Sequence, residues 1–102
     1  MKILALEHEL PGAAPEAFQR YARAEAGQAW QLYRQGIVRE LHFRADRPEA
    51  VLMLECDDVE AAHQALATLP FVANRLISFE LIPLAPYPGF ERLFAIDPTT
   101  TP

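Results

Sequence analysis

Apolar and polar positions alternate along four short segments of the chain and recur with a helical period along two longer ones. The alternating segments, each predicted to be a β-strand, are Lys2–Glu9, Ile37–Arg44, Ala50–Cys56 and Leu76–Leu84. The helical period covers Pro15–Gln35 and Asp58–Leu69. This order of elements predicts an α+β, ferredoxin-like βαββαβ sandwich. Its two helices cover only one face of the sheet, so we expect the other face to meet solvent, a ligand or a partner.

The residues at the ends of the two helices support this prediction. Pro15 is tolerated in a first helical turn, and the charge of Glu16 suits the positive end of the helix dipole. Gly36 fits the position that follows a last turn. Asp58 predicts an N-cap for the second helix, and Pro70 is expected to end it.

Strand parity divides the sheet into two sets of side chains, because successive residues of a strand point to opposite faces. A uniformly apolar set, expected to face the helices, consists of Leu4, Leu6, Leu41, Phe43, Leu52, Leu54, Ile77, Phe79 and Leu81. The mixed set consists of Ile3, Ala5, Glu7, Val38, Glu40, His42, Val51, Met53, Glu55, Ser78, Glu80 and Ile82. The prediction is an acidic cluster on the helix-free face. Glu40 would lie opposite Glu55, and His42 opposite Met53.

Composition narrows the functional classes. The chain has 102 residues, 51% of them apolar, and a formal net charge of −5 at pH 7. Nucleic-acid binding is disfavoured because neutralising phosphates needs clustered Lys and Arg, and the nine basic residues are scattered. The single cysteine, Cys56, excludes an intramolecular disulfide. No apolar run approaches the roughly 18 residues of a membrane span, so we expect a cytoplasmic protein that does not enter membranes.

The segment after the last strand combines prolines with large apolar side chains. The segment is counted from Pro83, and Pro83, Pro86, Pro88 and Gly89 predict that it lacks regular structure. Its apolar side chains are Tyr87, Phe90, Leu93 and Phe94. A segment of this kind is expected to pack on its own sheet edge or on a neighbouring subunit. We therefore place one domain at residues 1–94, with a frayed end at residues 95–102.

Glu25 is the first candidate for chemistry. It lies on the helical stripe that should face the sheet, and its neighbours Ala22, Ala26 and Ala29 leave room for a ligand. A carboxyl in apolar surroundings has a raised pKa, which suits general acid–base catalysis near neutral pH. The alternative is a structural role, with Glu25 at the edge of the stripe and paired with an arginine such as Arg39.

His42 and the carboxylates Glu7, Glu40 and Glu55 form the second candidate. An imidazole near carboxylates can shuttle protons, and such a set could also bind a divalent cation. The chain has no compact metal-ligand motif, so we predict no metal. The favoured alternative is an interfacial hydrogen-bond network, in which the carboxylates pair with arginines of a second subunit because unpaired buried charges are costly.

From Glu25 to Pro70 the sequence resembles the muconolactone isomerase family. The matching residues are Glu25, Ala29, Leu32, Arg34, Gly36, Arg39, Leu41, Val59, Glu60, Ala61, His63, Leu66, Leu69 and Pro70. The resemblance implies a dimeric α+β barrel, a homodimer or larger ring, in which two sheets pack face to face. It also implies a proton shift that moves a double bond in an unsaturated lactone without a metal or organic cofactor. The family carries tryptophans and a histidine around the shared arginine, whereas Val38 and Glu40 flank Arg39 here.

The resemblance adds two candidates. His63 is expected to be catalytic or to cap packing between helix and sheet. Arg39 is a candidate for binding a substrate carboxylate, since a guanidinium pairs with one bidentately. Four aromatic side chains of the first helix would line a ligand pocket or belong to the core: Phe18, Tyr21, Trp30 and Tyr33.

The sequence thus leads to a cofactor-independent isomerase, or a lyase with the same proton chemistry, acting on a small unsaturated lactone or carbonyl compound. Glu25 or a strand glutamate would remove a proton next to the carbonyl, and Arg39 or His42 would stabilise the enolate. Two other classes stay open because this fold hosts many functions. One is a non-catalytic small-molecule-binding or stress-associated dimeric protein, and the other is a cofactor-free monooxygenase-like enzyme.

Overall fold

Helices cover one face of a four-stranded antiparallel sheet, in a computed structural model that describes residues 1–94. The elements in chain order are β1 (Lys2–Glu9), α1 (Pro15–Arg34), β2 (Val38–Phe43), β3 (Ala50–Glu55), α2 (Val59–Ala67), α3 (Pro70–Ala73), β4 (Ile77–Pro83) and a 3₁₀ helix (Gly89–Leu93). In space the strands follow the order β2-β3-β1-β4. The predicted α+β, ferredoxin-like fold is confirmed.

Local chemistry sets where the helices begin and end. Pro15 opens α1, and Gly36 follows it with φ +79°, a left-handed conformation that glycine adopts without strain. The N–H of Ala61 donates to Asp58 Oδ1 at 2.7 Å, so Asp58 caps α2 as predicted. Pro70 lies beyond α2, but it also opens the short α3, which the sequence interpretation missed. No helix in residues 1–94 is both long and apolar enough to cross a membrane.

The hydrophobic core lies between the sheet and the helices. Its sheet side includes Ile3, Ala5, Leu52 and Leu54, and the helices contribute Leu32, Ala62 and Leu66. Ile3, Ala5 and Leu54 have no solvent-exposed surface. Because β1 and β3 occupy the centre of the sheet, they carry most of the buried strand residues.

The predicted parity of β1 is wrong. Ile3 and Ala5 are buried under the helices, so Leu4 and Leu6 belong to the open face. From Ile3 to Leu6 both alternating sets of this central strand are apolar, and hydropathy there does not distinguish the two faces. Glu7 shares its parity with Ile3 and Ala5, which moves it from the open face to the helix-covered side.

The observed pairing of β2 with β3 also differs from the predicted register. Val38 pairs with Leu54, Glu40 with Met53 and His42 with Val51, with the irregularity between Val38 and Glu40. The bulge turns Val38 into the core, where it is 1% exposed. The predicted pairs Glu40–Glu55 and His42–Met53 are not formed.

The segment after β4 extends the sheet and then leaves it. The N–H of Leu84 donates to the carbonyl of Lys2 at 2.9 Å, and a 3₁₀ helix follows at Gly89–Leu93, where no regular structure was predicted. Its large side chains are exposed: Tyr87 69%, Phe90 67%, Leu93 75% and Phe94 83%. Up to residue 94 this segment does not pack on its own sheet edge. The predicted fraying at residues 95–102 lies outside the described residues.

Candidate functional site

A cleft opens on the helix-covered side of the sheet, where the end of β1 meets the start of α1, the β2–β3 turn and α3. It consists of two adjoining depressions of about 580 Å³ and 340 Å³. Both are lined by Glu7, Phe18 and Pro48. The outer depression adds His8, Glu9, Arg47 and Glu49, and the inner one adds Gln19, Ala22, Phe43 and Phe71.

Glu7 is the ionisable group that faces both parts of the cleft. Its side chain is half-buried, and burial raises its pKa above the ordinary value. An interaction with the Ala50 backbone lowers the pKa in part, while the nearby carboxylates of Glu49, Glu25 and Glu9 raise it further. A carboxyl in this state exchanges protons with less penalty near neutral pH than an exposed one.

Glu25 lies beside the cleft and is absent from its lining. Its Oε1 accepts a 2.9 Å hydrogen bond from the N–H of Phe71, a free donor in the first turn of α3. Burial raises the pKa of Glu25, and this hydrogen bond opposes the rise. The expected alternative pairing with Arg39 is wrong, because Arg39 Nε donates to the carbonyl of Gly36 at 2.8 Å.

Aromatic rings form the inner wall of the cleft. Phe18 of α1 and Phe71 of α3 pack edge to face, with ring centroids 5.2 Å apart. Phe43, at the end of β2, lines the same depression and is 71% exposed. These rings lower the local polarity around Glu7 and offer flat surfaces to a ligand ring.

The outer part of the cleft is charged and internally paired. The Nε of Arg47 forms an ion pair with Glu49 Oε1. His8 lies between two carboxylates, with Nδ1 3.8 Å from Glu49 Oε2 and Nε2 3.7 Å from Glu80 Oε1. The side chain of Glu49 is only 16% exposed, so it is the most enclosed member of this group.

The predicted cluster of His42 with three glutamates does not form. His42 Nε2 lies 3.1 Å from Glu40 Oε1 on the open face, where both side chains are exposed. Glu55 Oε1 accepts a 3.2 Å hydrogen bond from the amino group of Met1, and Glu7 lies on the other side of the sheet. Within residues 1–94, no group of three His, Cys, Asp or Glu side chains is arranged to hold a metal ion.

Most of the other predicted site residues also lie outside the cleft. His63 is exposed on α2, and Tyr21 is half-buried on α1 without lining the cleft. Trp30 and Tyr33 stack with centroids 5.7 Å apart and border a separate shallow groove with Leu41. Of the four aromatic candidates, Phe18 alone lines the cleft.

Sequence reasoning missed the charged mouth of the cleft and part of its wall. Arg47 and Glu49 belong to the β2–β3 hairpin turn, and Phe71 belongs to the short helix α3. The sequence offered one indication of the site: Glu7 and Glu25 are carboxylates on element faces that the fold partly buries. Glu25 on the helical stripe needed a hydrogen-bond donor nearby, and the turn after Pro70 supplies it.

Comparison with solved structures places the fold. The chain is similar to muconolactone isomerase, with a TM-score of 0.71 and 24% identity over 86% of this chain and 92% of that one. It is also similar to 5-chloro-2-hydroxyhydroquinone dehydrochlorinase from Burkholderia phenoliruptrix in complex with 2,5-dihydroxybenzoquinone. That match has a TM-score of 0.64 and 14% identity over 83% of this chain and 94% of that one. The resemblance to muconolactone isomerase is therefore confirmed for the fold. No protein-family model and no curated protein sequence matches the chain.

Proposed function

We propose that this protein is a cofactor-independent isomerase, or a lyase with the same proton chemistry, for a small unsaturated lactone or carbonyl compound. The observation that carries the proposal is the position of Glu7, a half-buried carboxyl that faces both parts of an aromatic-walled cleft. Burial raises the pKa of Glu7, which makes the side chain a stronger base than an exposed glutamate. The proton-transferring residue is thus Glu7 in place of Glu25, the first candidate from the sequence.

The reaction is a shift of one proton. The Glu7 carboxylate removes the proton on the γ carbon of an α,β-unsaturated lactone, and the electrons move through the double bond onto the carbonyl oxygen. The resulting dienolate takes the proton back from Glu7 at the α carbon, next to the carbonyl. The double bond then lies between the β and γ carbons, and the carboxylate is regenerated.

The charge on the enolate oxygen needs a hydrogen-bond donor. Gln19 lines the inner depression together with Glu7, and its side-chain amide is a neutral donor. An amide placed in this way stabilises an oxyanion without adding charge to the resting site. Neither Arg39 nor His42 lines the cleft, so we do not retain them in this role.

Glu25 acts through Glu7 and is a positioning residue. Its charge raises the pKa of Glu7, and its bond to the N–H of Phe71 fixes α3, which carries one wall of the cleft. Replacement of Glu25 by Gln keeps an acceptor for that N–H and removes the charge. We therefore expect Glu25→Gln to lower the apparent pKa in the pH profile of kcat/KM. The maximal rate should change little.

The structural neighbours support the choice of substrate class. One neighbour is named for a lactone, and the other was solved with 2,5-dihydroxybenzoquinone, a small cyclic unsaturated carbonyl compound. The three aromatic rings of the inner wall, from Phe18, Phe43 and Phe71, suit a flat ligand of this size. These likenesses establish the fold, and the proposal joins them to the position of Glu7.

A proton-exchange assay in D₂O tests this function. Muconolactone and other small unsaturated lactones are followed by NMR with wild type, Glu7→Gln and Glu40→Gln. Glu40→Gln is a matched control because it makes the same change on the open face. We expect deuterium incorporation with the wild type and the control and a loss of about 10²–10⁴-fold in Glu7→Gln. Exchange by Glu7→Gln at the wild-type rate would remove Glu7 from the mechanism.

The same assay separates the other two classes. Tight binding of a lactone without exchange would favour the non-catalytic binding protein. Oxygen consumption with an electron-rich aromatic substrate would favour the monooxygenase-like enzyme. Proton exchange without oxygen consumption is the result that the isomerase proposal predicts.

We further propose that the protein forms a homodimer through the open face of the sheet. That face carries apolar side chains that are only partly exposed: Leu4, Leu6, Val51, Met53 and Ile82. The exposed apolar side chains after β4 would add to such a contact. Sedimentation equilibrium tests this proposal, and we expect Leu6→Glu to be a monomer. A dimer that persists in Leu6→Glu would exclude this face as the interface.

A further inference from the structure

The charges around the cleft specify a substrate class more narrowly than the fold does. Three carboxylates line the outer depression, from Glu7, Glu9 and Glu49, against the one guanidinium of Arg47. His8 is the remaining ionisable group of this lining. The mouth therefore carries net negative charge when His8 is neutral, and it disfavours an anionic ligand.

The one guanidinium in this lining is already engaged. Arg47 directs Nε to Glu49, whose side chain is the least exposed of the group. A substrate carboxylate would have to replace Glu49 at Arg47 and leave Glu49 without its guanidinium partner in a poorly solvated position. A poorly solvated carboxylate without a partner costs free energy, so the exchange is unfavourable.

Protonation of His8 makes this lining less negative but does not reverse its sign. Its two ring nitrogens face Glu49 at 3.8 Å and Glu80 at 3.7 Å. A positive charge on the imidazole is therefore shared by two carboxylates that are already present. A protonated His8 therefore attracts a ligand carboxylate only weakly.

Two arginines outside the lining are also engaged with other groups. Arg44 donates from Nε and Nη2 to the two oxygens of Asp46, at 2.8 Å and 2.6 Å. Arg39 donates to the carbonyl of Gly36 and does not line the cleft. In residues 1–94, Arg47 and His8 of the cleft lining both face carboxylates already, so neither is free to pair with an anionic ligand.

We propose that this site selects an uncharged substrate, a neutral cyclic unsaturated lactone or enone, and that Glu49 enforces the choice by occupying Arg47. This inference rests on the function proposed above and adds the charge of the substrate to it. A lactone that carries a free carboxylate meets the acidic mouth, whereas the ester of the same lactone does not. Glu49 is the specificity-determining residue, because removing its charge releases Arg47 for an anionic ligand.

The test uses one substrate pair that differs only in charge, muconolactone and its methyl ester. We expect the wild type to have a kcat/KM for the ester at least about tenfold above that for the acid at low salt. In Glu49→Gln the ratio falls toward one, mainly through a lower KM for the acid. The ratio is the useful quantity because Glu49 also affects the pKa of Glu7, and that effect is common to both substrates.

Glu60→Gln is the matched control, since it removes one negative charge on α2, outside the cleft lining. The control should keep the wild-type ratio, which excludes a general effect of net charge. A wild type that prefers the acid, or a ratio that Glu49→Gln leaves unchanged, would overturn the proposal.

A binding measurement separates this inference from the proposed function. The saturated lactone acid and its methyl ester cannot undergo the proton shift, and their Kd values follow from NMR titration. Tighter binding of the ester, with the difference lost in Glu49→Gln, supports charge selection even if no lactone is turned over. Tighter binding of the acid, or binding of neither compound, contradicts it.

Discussion

The two sides of the sheet carry similar side chains in very different settings. On the open side, Glu40 and His42 lie 3.1 Å apart with side chains 60% and 63% exposed. On the helix-covered side, Glu7 is half-buried among aromatic residues, and burial and neighbouring carboxylates raise its pKa. Exposed pairs of this kind contribute little to stability. An exposed glutamate–histidine pair is thus a weaker indication of chemistry than a half-buried carboxyl beside aromatic rings in a cleft.

The difference arises from the topology. Within one subunit the open face lacks a helical cover in residues 1–94, so water reaches its polar side chains, whereas α1 and α3 shield Glu7 from solvent. Shielding is what shifts the protonation equilibrium of a carboxyl toward the neutral form. The following predictions test this contrast between the sides, from the largest expected effect to the smallest.

Removing ionisable groups from each side should affect turnover very differently. We expect Glu7→Gln to lose about 10²–10⁴-fold in kcat/KM, because it removes the proton acceptor. The double variant Glu40→Gln, His42→Gln should retain the wild-type value, as neither residue lines the cleft. Initial rates with an accepted lactone measure both. Loss of turnover in the double variant would return the chemistry to the open face.

Neighbouring residues of β1 should differ in their contribution to stability. Ile3 is fully buried under the helices, so Ile3→Ala is expected to lower the free energy of unfolding by about 2–5 kcal/mol. Leu4 lies on the open face and is partly exposed, so Leu4→Ala should lose less than half as much. Urea unfolding, at concentrations where the midpoint does not depend on protein concentration, measures both. A larger effect at Leu4 would reverse the assignment of faces.

Two variants of Glu25 separate its structural role from its charge. Glu25→Ala leaves the N–H of Phe71 without its acceptor and should lower the free energy of unfolding by about 1 kcal/mol. Glu25→Gln keeps an acceptor and should be nearly as stable as the wild type at pH 7. Thermal unfolding of the two variants provides the comparison. Equal loss in both would mean that the carboxylate charge, and not the hydrogen bond, holds α3.

The pH dependence of stability should show the smallest effect. The ordinary pKa of a glutamic acid is 4.5, and burial raises that of Glu7 in the folded protein. Between these two values the folded state binds more protons than the unfolded state, so stability falls as pH rises through this interval and then levels off. In Glu7→Gln this decrease in the free energy of unfolding should be absent, so the variant should be more stable than the wild type at pH 7. Parallel curves for the two proteins would exclude a raised pKa.

Much of the fold was predictable because its indications are local. Alternation in four segments, the helical period in two, and end residues such as Pro15, Gly36 and Asp58 each specify an element with little help from tertiary contacts. The face of β1 was not predictable in this way. From Ile3 to Leu6 both of its alternating sets are apolar, and the choice depends on which set packs against Leu32, Ala62 and Leu66.

The site was harder to predict because it depends on that choice and on irregular structure. Glu7 was a candidate from the start, but on the wrong face. Arg47 and Glu49 reach the cleft from the turn between β2 and β3, which has no periodic pattern of its own. Phe71 comes into it through a four-residue helix that begins at Pro70, a residue that otherwise indicates the end of a helix. Such features arise from tertiary packing, which periodicity along the chain does not record.

The most direct test of the central claim is an NMR titration of glutamate side-chain carboxyls in ¹³C-labelled protein, with and without a saturated lactone methyl ester. Glu7→Gln and Glu40→Gln assign the two signals. The account predicts that Glu7 titrates above 4.5 and that its signal shifts when the lactone binds, while the Glu40 signal does not respond to the lactone. A lactone-dependent shift at Glu40 with none at Glu7 would place the ligand on the open face and contradict the account.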